Sequence, residues 1–242
     1  GGGAHEIEIH FPKDHDRSKP VPGIIMFHGG GWSKGDRISF RYLCHYFASR
    51  GLVAATANYR LGKGKRLCIT DAKSAIRCYK QNAAKLGLDP KRIISGGGSA
   101  GGHIALLATT NPGLNDPNDS KEYDTSVVAY LLFNPALKPK KDMEVTFENH
   151  IKAAMPPMIA FWGTQDNWLT GWKSACEKMQ SLENDSIEWW TAQGQSHAFF
   201  NKQPWKDLTI IAADQFLKKH GLIEGEVTLP APENAEKLIK TL

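Results

Sequence analysis

Residues 92–108 confine this chain to a narrow choice of folds. Arg92-Ile93-Ile94-Ser95-Gly96 reads as a short apolar strand, and His103-Ile104-Ala105-Leu106-Leu107-Ala108 reads as a helix with an apolar face. Between them stand Gly97, Gly98, Ser99, Ala100 and Gly101, a Gly-x-Ser-x-Gly segment at a strand-to-helix turn. Such a turn brings strand and helix backbones too close for side chains. Glycines therefore flank the serine, whose Oγ is lifted clear of the sheet edge. The same pentapeptide also serves as a plain small-residue turn, so the meaning of Ser99 depends on its surroundings.

The rest of the chain repeats the strand–helix alternation. Strand candidates at 21–27, 52–58, 92–96, 127–133, 158–162 and 187–191 are interleaved with helix candidates at 38–50, 68–86, 99–110, 171–182 and 204–220. That order predicts an α/β fold, a mostly parallel, doubly wound sheet with helices on both faces. Alternating Ile7, Ile9 and Phe11 predict an antiparallel edge strand at the N-terminal end. With 242 residues and 41% hydrophobic content, the chain is expected to form one domain over 1–242, with a core of 5–222 and a peripheral extension at 223–242. Gly1, Gly2 and Gly3 read as an appended or processed end.

A second glycine-rich turn changes the weight of the first. Gly23-Ile24-Ile25-Met26-Phe27 runs straight into His28-Gly29-Gly30-Gly31-Trp32, an oxyanion-loop pattern placed after an early strand. Acyl transfer builds negative charge on a carbonyl oxygen, and glycines let bare N–H groups approach it. The expected donors are Gly30, Gly31 and Ala100, each worth about 2.7–4 kcal/mol of transition-state stabilisation. A serine nucleophile also needs an acid and a histidine, in that chain order. Asp166 follows the strand 158–162 in the loop Gly163-Thr164-Gln165-Asp166, and His197 lies in the loop after 187–191. Both occupy strand C-terminal ends, where open α/β sheets place their sites.

The other candidates fit less well. His5, His10, His15 and His220 lie near the chain ends, and His45 and His150 fall in polar stretches. His28 is expected to brace its loop, and His103 is too near Ser99 in sequence to serve as its base. Asp116, Asp119 and Asp124 belong to a polar loop at 111–124, which resembles a calcium loop but lacks the central glycine and closing glutamate; it reads as solvated. Formal net charge is +5, and the basic runs Gly62-Lys63-Gly64-Lys65-Arg66 and Lys138-Pro139-Lys140-Lys141 read as solvated loops, so no nucleic-acid partner is expected. No apolar run is long enough for a membrane span. Cys44, Cys68, Cys78 and Cys176 show no metal-ligand spacing; Cys44, Cys78 and Cys176 fall in helices as buried thiols, with room left for one disulfide.

The segments His28-Gly29-Gly30-Gly31-Trp32, Gly97-Gly98-Ser99-Ala100-Gly101-Gly102-His103, Gly163-Thr164-Gln165-Asp166 and Gly194-Gln195-Ser196-His197 together resemble the α/β-hydrolase carboxylesterases, over about 5–222. Hormone-sensitive-lipase-like esterases usually have Asp before the serine. Gly98 stands there here, which is closer to the bacterial acetyl xylan and feruloyl esterases. The resemblance implies a serine carboxylesterase with Ser99, Asp166 and His197 as triad and with no metal or organic cofactor. Little sequence precedes His28 and 134–157 is short, leaving at most a small lid around 145–154. An open site suits small acyl groups on bulky alcohols such as carbohydrate, and a polysaccharide substrate would favour an extracytoplasmic location. Trp32 and Trp168 are expected to touch substrate; Trp162, Trp189 and Trp190 are expected in the core. Two alternatives stay open: an amidase resembling arylformamidases, and a non-catalytic binding protein on the same fold.

Overall fold

The structure, a computed structural model, describes residues 6–138, 142–233 and 236–242. Gly1, Gly2, Gly3, His5 and the Pro139-Lys140-Lys141 part of the second basic run lie outside the described residues.

The apolar strands form one sheet. They are β1 (Ile7–His10), β2 (Val21–Phe27), β3 (Val53–Ala57), β4 (Leu88–Gly98), β5 (Ala129–Phe133), β6 (Met158–Gly163), β7 (Ile187–Ala192) and β8 (Ile239–Lys240). Their spatial order is β1-β3-β2-β4-β5-β6-β7-β8, with β1 and β8 antiparallel at the edges and the six strands between them parallel. Every residue of β3, β5 and β6 is buried. Strands covered on both faces have no polar side to show, which is why they read as unbroken apolar runs.

The helices are α1 (Arg41–Ser49), α2 (Lys65–Gln81), α3 (Ala83–Leu86), α4 (Ala100–Thr110), α5 (Leu169–Ser181) and α6 (Trp205–Lys219). Successive strand residues point to opposite faces. Ile25 and Phe27 of β2 join a core with Ile76 of α2, Ile104 of α4 and Trp172 of α5. Ile24 and Met26 join a second core with Phe47 of α1 and Phe216 of α6. The sheet is thus doubly wound, as the alternation predicts, and is an α/β-hydrolase fold.

Several expectations need correction. The helix expected at 68–86 begins at Lys65 and breaks at Asn82, whose Nδ2 donates to the Cys78 carbonyl at 2.8 Å. The C-terminal segment 223–242 is more than peripheral: Ile223 is buried, and β8 pairs with Trp190 and Thr191. The polar loop 111–124 is fastened to α2 rather than merely solvated. Asp119 pairs with Arg77 at 2.8 Å and accepts from Ser74, Lys80 pairs with Asp124 at 2.5 Å, and the buried Lys73 Nζ donates to the Asn111 carbonyl at 2.6 Å. The first basic run is also more than a solvated loop, because Lys65 and Arg66 open α2 and Arg66 pairs with Asp142 and Glu144. Cys78 is exposed, on the solvent side of α2, while Cys44, Cys68 and Cys176 are buried; all four are free thiols. Trp162 and Trp189 are buried in the core, and Trp190 packs half-buried beside it. Among the described residues no helix is long and apolar enough to cross a membrane.

Candidate active site

Ser99 stands where β4 ends and α4 begins, at φ 51° and ψ −117°. For a residue with a Cβ this is a sparsely populated conformation, costing of order 1–3 kcal/mol. The neighbours leave it no alternative. Its N–H donates to the Phe133 carbonyl at 2.9 Å, and its own carbonyl accepts from Ala136 and His103 N–H groups. A side chain on Gly97 or Gly101 would run into the Phe27 carbonyl, so the turn closes only with glycine at both positions. Gly98 has a different constraint: a Cβ there would lie 2.6 Å from Phe200 Cζ and 3.3 Å from Phe40 Cζ. Those two rings also line a small recess of about 80 Å³ of mixed character, with Leu43 and Ile210 beside Asn201 and Lys206.

The structure brings together the three residues that chain order singles out. His197 Nε2 lies 2.8 Å from Ser99 Oγ, and His197 Nδ1 lies 2.7 Å from Asp166 Oδ2. A carboxylate can only accept, so Nδ1 carries the proton and Nε2 turns its lone pair toward the serine hydroxyl. Asp166 is buried at the end of β6, and its other oxygen accepts the Trp168 N–H at 2.9 Å. The acid and histidine loops are tied by Gln165 N–H donating to the Gln195 carbonyl at 2.9 Å, next to Gly163, where any side chain would strike that same carbonyl.

The glycine loop lies directly against the serine. A Cβ on Gly29 would come within 3.3 Å of Ser99 Cβ. Gly30 (φ 117°) and Gly31 (φ 62°) turn the chain in conformations that side chains disfavour. Among the described residues, the Gly30, Gly31 and Ala100 N–H groups donate to no backbone carbonyl outside regular helix and strand pairing. His28 is buried inside this loop. Its Nδ1 bonds the Gly29 carbonyl at 2.7 Å, its ring stacks on Tyr59 at 4.3 Å, and burial pushes its pKa down. His103 is equally buried and is pushed down to about 4, so it is neutral; its Nε2 donates to the Val145 carbonyl at 2.9 Å. That bond ties Val145 to α4, and the turn Phe147–His150, which lies within the small lid expected around 145–154, packs on the same helix.

The Trp168 ring lies 6.4 Å from the His197 ring, and the Trp32 ring lies 6.3 Å from that of Trp168. One further group at the site escapes sequence reasoning. Asn134, at the end of β5, is fully buried at φ 40°, and its Nδ2 lies 3.2 and 3.3 Å from the two His197 ring nitrogens. Being nearly equidistant from both, the amide rests on the ring face rather than in its plane. Its Oδ1 accepts the Ala198 N–H at 3.2 Å, which fixes the amide's orientation because a backbone N–H can only donate. The available signal is a polar residue at a strand C-terminal end, Phe133-Asn134-Pro135.

This geometry has known counterparts. Residues 7–127, half of the chain, match the family model described as BD-FAE. The chain is 32% identical over 138 residues to the probable carboxylic ester hydrolase LipM of Mycobacterium tuberculosis, covering 54% of this chain and 32% of that protein. Esterase LipC of the same organism is 36% identical over 46% of this chain and 29% of its own. The chain therefore spans about a third of the length of these relatives. Among solved structures, the propionate-bound esterase 2 of Thermogutta terrifontis superposes with a TM-score of 0.87 at 34% identity, covering 92% of each chain. The butyrate-bound form gives 0.86 at 34% identity, over 92% of this chain and 91% of that one. The family match takes in both the glycine loop and the serine turn, and the superposition extends the likeness across the rest of the sheet: this chain belongs to the BD-FAE family.

Proposed function

We propose that this protein is a serine carboxylesterase that hydrolyses short-chain acyl esters, with acetyl or feruloyl groups on carbohydrate as its substrate class. The observation that carries the reading is the continuous hydrogen-bonded line from Asp166 through His197 to Ser99 Oγ, at 2.7 and 2.8 Å.

The chemistry follows from that line. Ser99 Oγ attacks the ester carbonyl as His197 Nε2 takes its proton, and Asp166 stabilises the resulting imidazolium. The carbonyl oxygen, now negative, is met by Gly30, Gly31 and Ala100 N–H groups. His197 returns the proton to the departing alcohol, leaving the acyl group on Ser99. Water then attacks that acyl-enzyme, giving its proton to His197, and the acid and free serine are released. No metal or organic cofactor takes part.

Substrate size is argued from the surroundings. The segment at 143–150 packs on α4 as two short turns instead of a helical cap, and the recess beside Gly98 has room for a few heavy atoms. Similar proteins are named esterases, and one is described with propionate and butyrate bound. The test is an ester series. Turnover should peak at acetyl to butyryl p-nitrophenyl esters, include acetylated xylan or feruloyl esters, and vanish in Ser99→Ala while that variant stays folded. Full activity in Ser99→Ala, or a preference for long acyl chains, would contradict it.

A further inference from the structure

The two tryptophans beside the serine are not open stacking faces. Lys65 Nζ sits 3.9 Å from the centroid of the Trp32 ring, and Lys138 Nζ sits 4.4 Å from that of Trp168. The lysines come from separate parts of the fold, the first turn of α2 and the segment after β5, yet both converge on the same mouth. Trp32 is held there at φ 61°, a conformation that bulky residues rarely adopt. Trp168 is held by its N–H bond to Asp166.

The nearby carboxylates have other partners. Asp166 is committed to His197 and Trp168 N–H, while Asp142 and Glu144 are committed to Arg66. Among the described residues no carboxylate forms an ion pair with Lys138. A neutral ring stacking on either indole face would displace an ammonium held by cation–π attraction. At Lys138, which has no carboxylate partner among the described residues, an anion meets no such competition. It pairs with the ammonium while the ammonium stays on the ring, and two cations at the rim of a cleft raise the local concentration of anions.

We infer that this site selects esters bearing a carboxylate near the scissile bond, read by Lys65 and Lys138 above Trp32 and Trp168. The inference rests on the acyl-transfer reading of Ser99. The carboxylate can belong to the acyl group or to the alcohol, as in an acidic sugar, and substrate pairs separate the two sources. For the alcohol side, kcat/KM is measured for 4-acetoxybenzoate against 4-acetoxybenzamide. For the acyl side, monomethyl glutarate is compared with methyl pentanoate by continuous titration. At low ionic strength the anionic member of at least one pair should be preferred about tenfold. Lys65→Met and Lys138→Met should each reduce that ratio about three- to fivefold, Lys138→Arg should retain it, and about 0.5 M salt should shrink it. Ratios at or below one in both pairs, or a preference surviving both methionine variants, would overturn the inference while leaving Ser99-dependent turnover of the neutral esters intact. Absence of Ser99-dependent turnover for all four esters would instead overturn the acyl-transfer reading, and the inference with it.

Discussion

Where the parallel strands finish, four loops each hold a non-glycine residue at positive φ: Trp32 (61°) after β2, Ser99 (51°) after β4, Asn134 (40°) after β5 and Ala198 (65°) after β7. At the opposite end, the loop 111–126 between α4 and β5 contains one such residue, Leu114. That loop is held by charged pairs instead, with Lys73, Arg77 and Lys80 of α2 facing Asn115, Asp119 and Asp124. Strained conformations persist only where the surroundings over-determine them. The four site loops therefore place strained residues next to the triad, while the loop 111–126 relies mainly on its polar groups to fasten a long connection. Substitutions at the first end should change rates, and those at the second should change stability.

The sharpest way to break that contrast is Asp166→Asn. Nδ1 of His197 would then lose its carboxylate acceptor, the imidazole could take the wrong tautomer, and kcat on p-nitrophenyl acetate should fall on the order of 10⁴-fold with the melting temperature little changed. A variant of normal rate would remove Asp166 from the relay. Asn134→Ala should cost about 10- to 100-fold in kcat with KM nearly constant, because it frees the His197 ring to leave its bond with Ser99. A lower melting temperature in Asn134→Ala with kcat intact would move Asn134 to the structural side. Gly98→Asp crosses the two categories: the new side chain meets Phe200 and Phe40, and overpacking should lower stability by about 1–3 kcal/mol in urea unfolding.

The smallest effect is expected at the fastened end. Burial, with Arg77 nearby, pushes the Lys73 ammonium down to about 8. A lysine in the unfolded chain titrates near ~10.4, so between about pH 8 and ~10.4 the unfolded state binds more protons and stability rises with pH. Below pH 8 both states are protonated and this group adds no pH dependence. The stability of wild type relative to Lys73→Met, followed by urea midpoints, should therefore climb across that window, with kcat/KM unchanged. A flat difference would contradict the assignment.

Much of the site is legible in the sequence because each part lies at a strand end. The spacing from 158–162 to Asp166 and from 187–191 to His197 is local, and the fold converts it into adjacency. Asn134 is different. In Phe133-Asn134-Pro135 it reads as a turn residue, and its place on the His197 ring exists only because β5 ends beside the loop after β7. The α2 lysines and arginine are visible as a charged stripe, but the Arg77 partner Asp119 lies 42 residues on, where no local pattern points. Strand β8 has two exposed residues, too few to show any periodicity, so its pairing with β7 depends wholly on tertiary contacts.

The central claim is that Ser99 is the group that takes the acyl chain, and covalent trapping tests it most directly. Incubated with paraoxon and digested for peptide mass spectrometry, the protein should carry a single diethylphosphoryl group on Ser99, with esterase activity lost in proportion to labelling. Activity lost with the label on another residue, or retained with Ser99 fully labelled, would contradict the account.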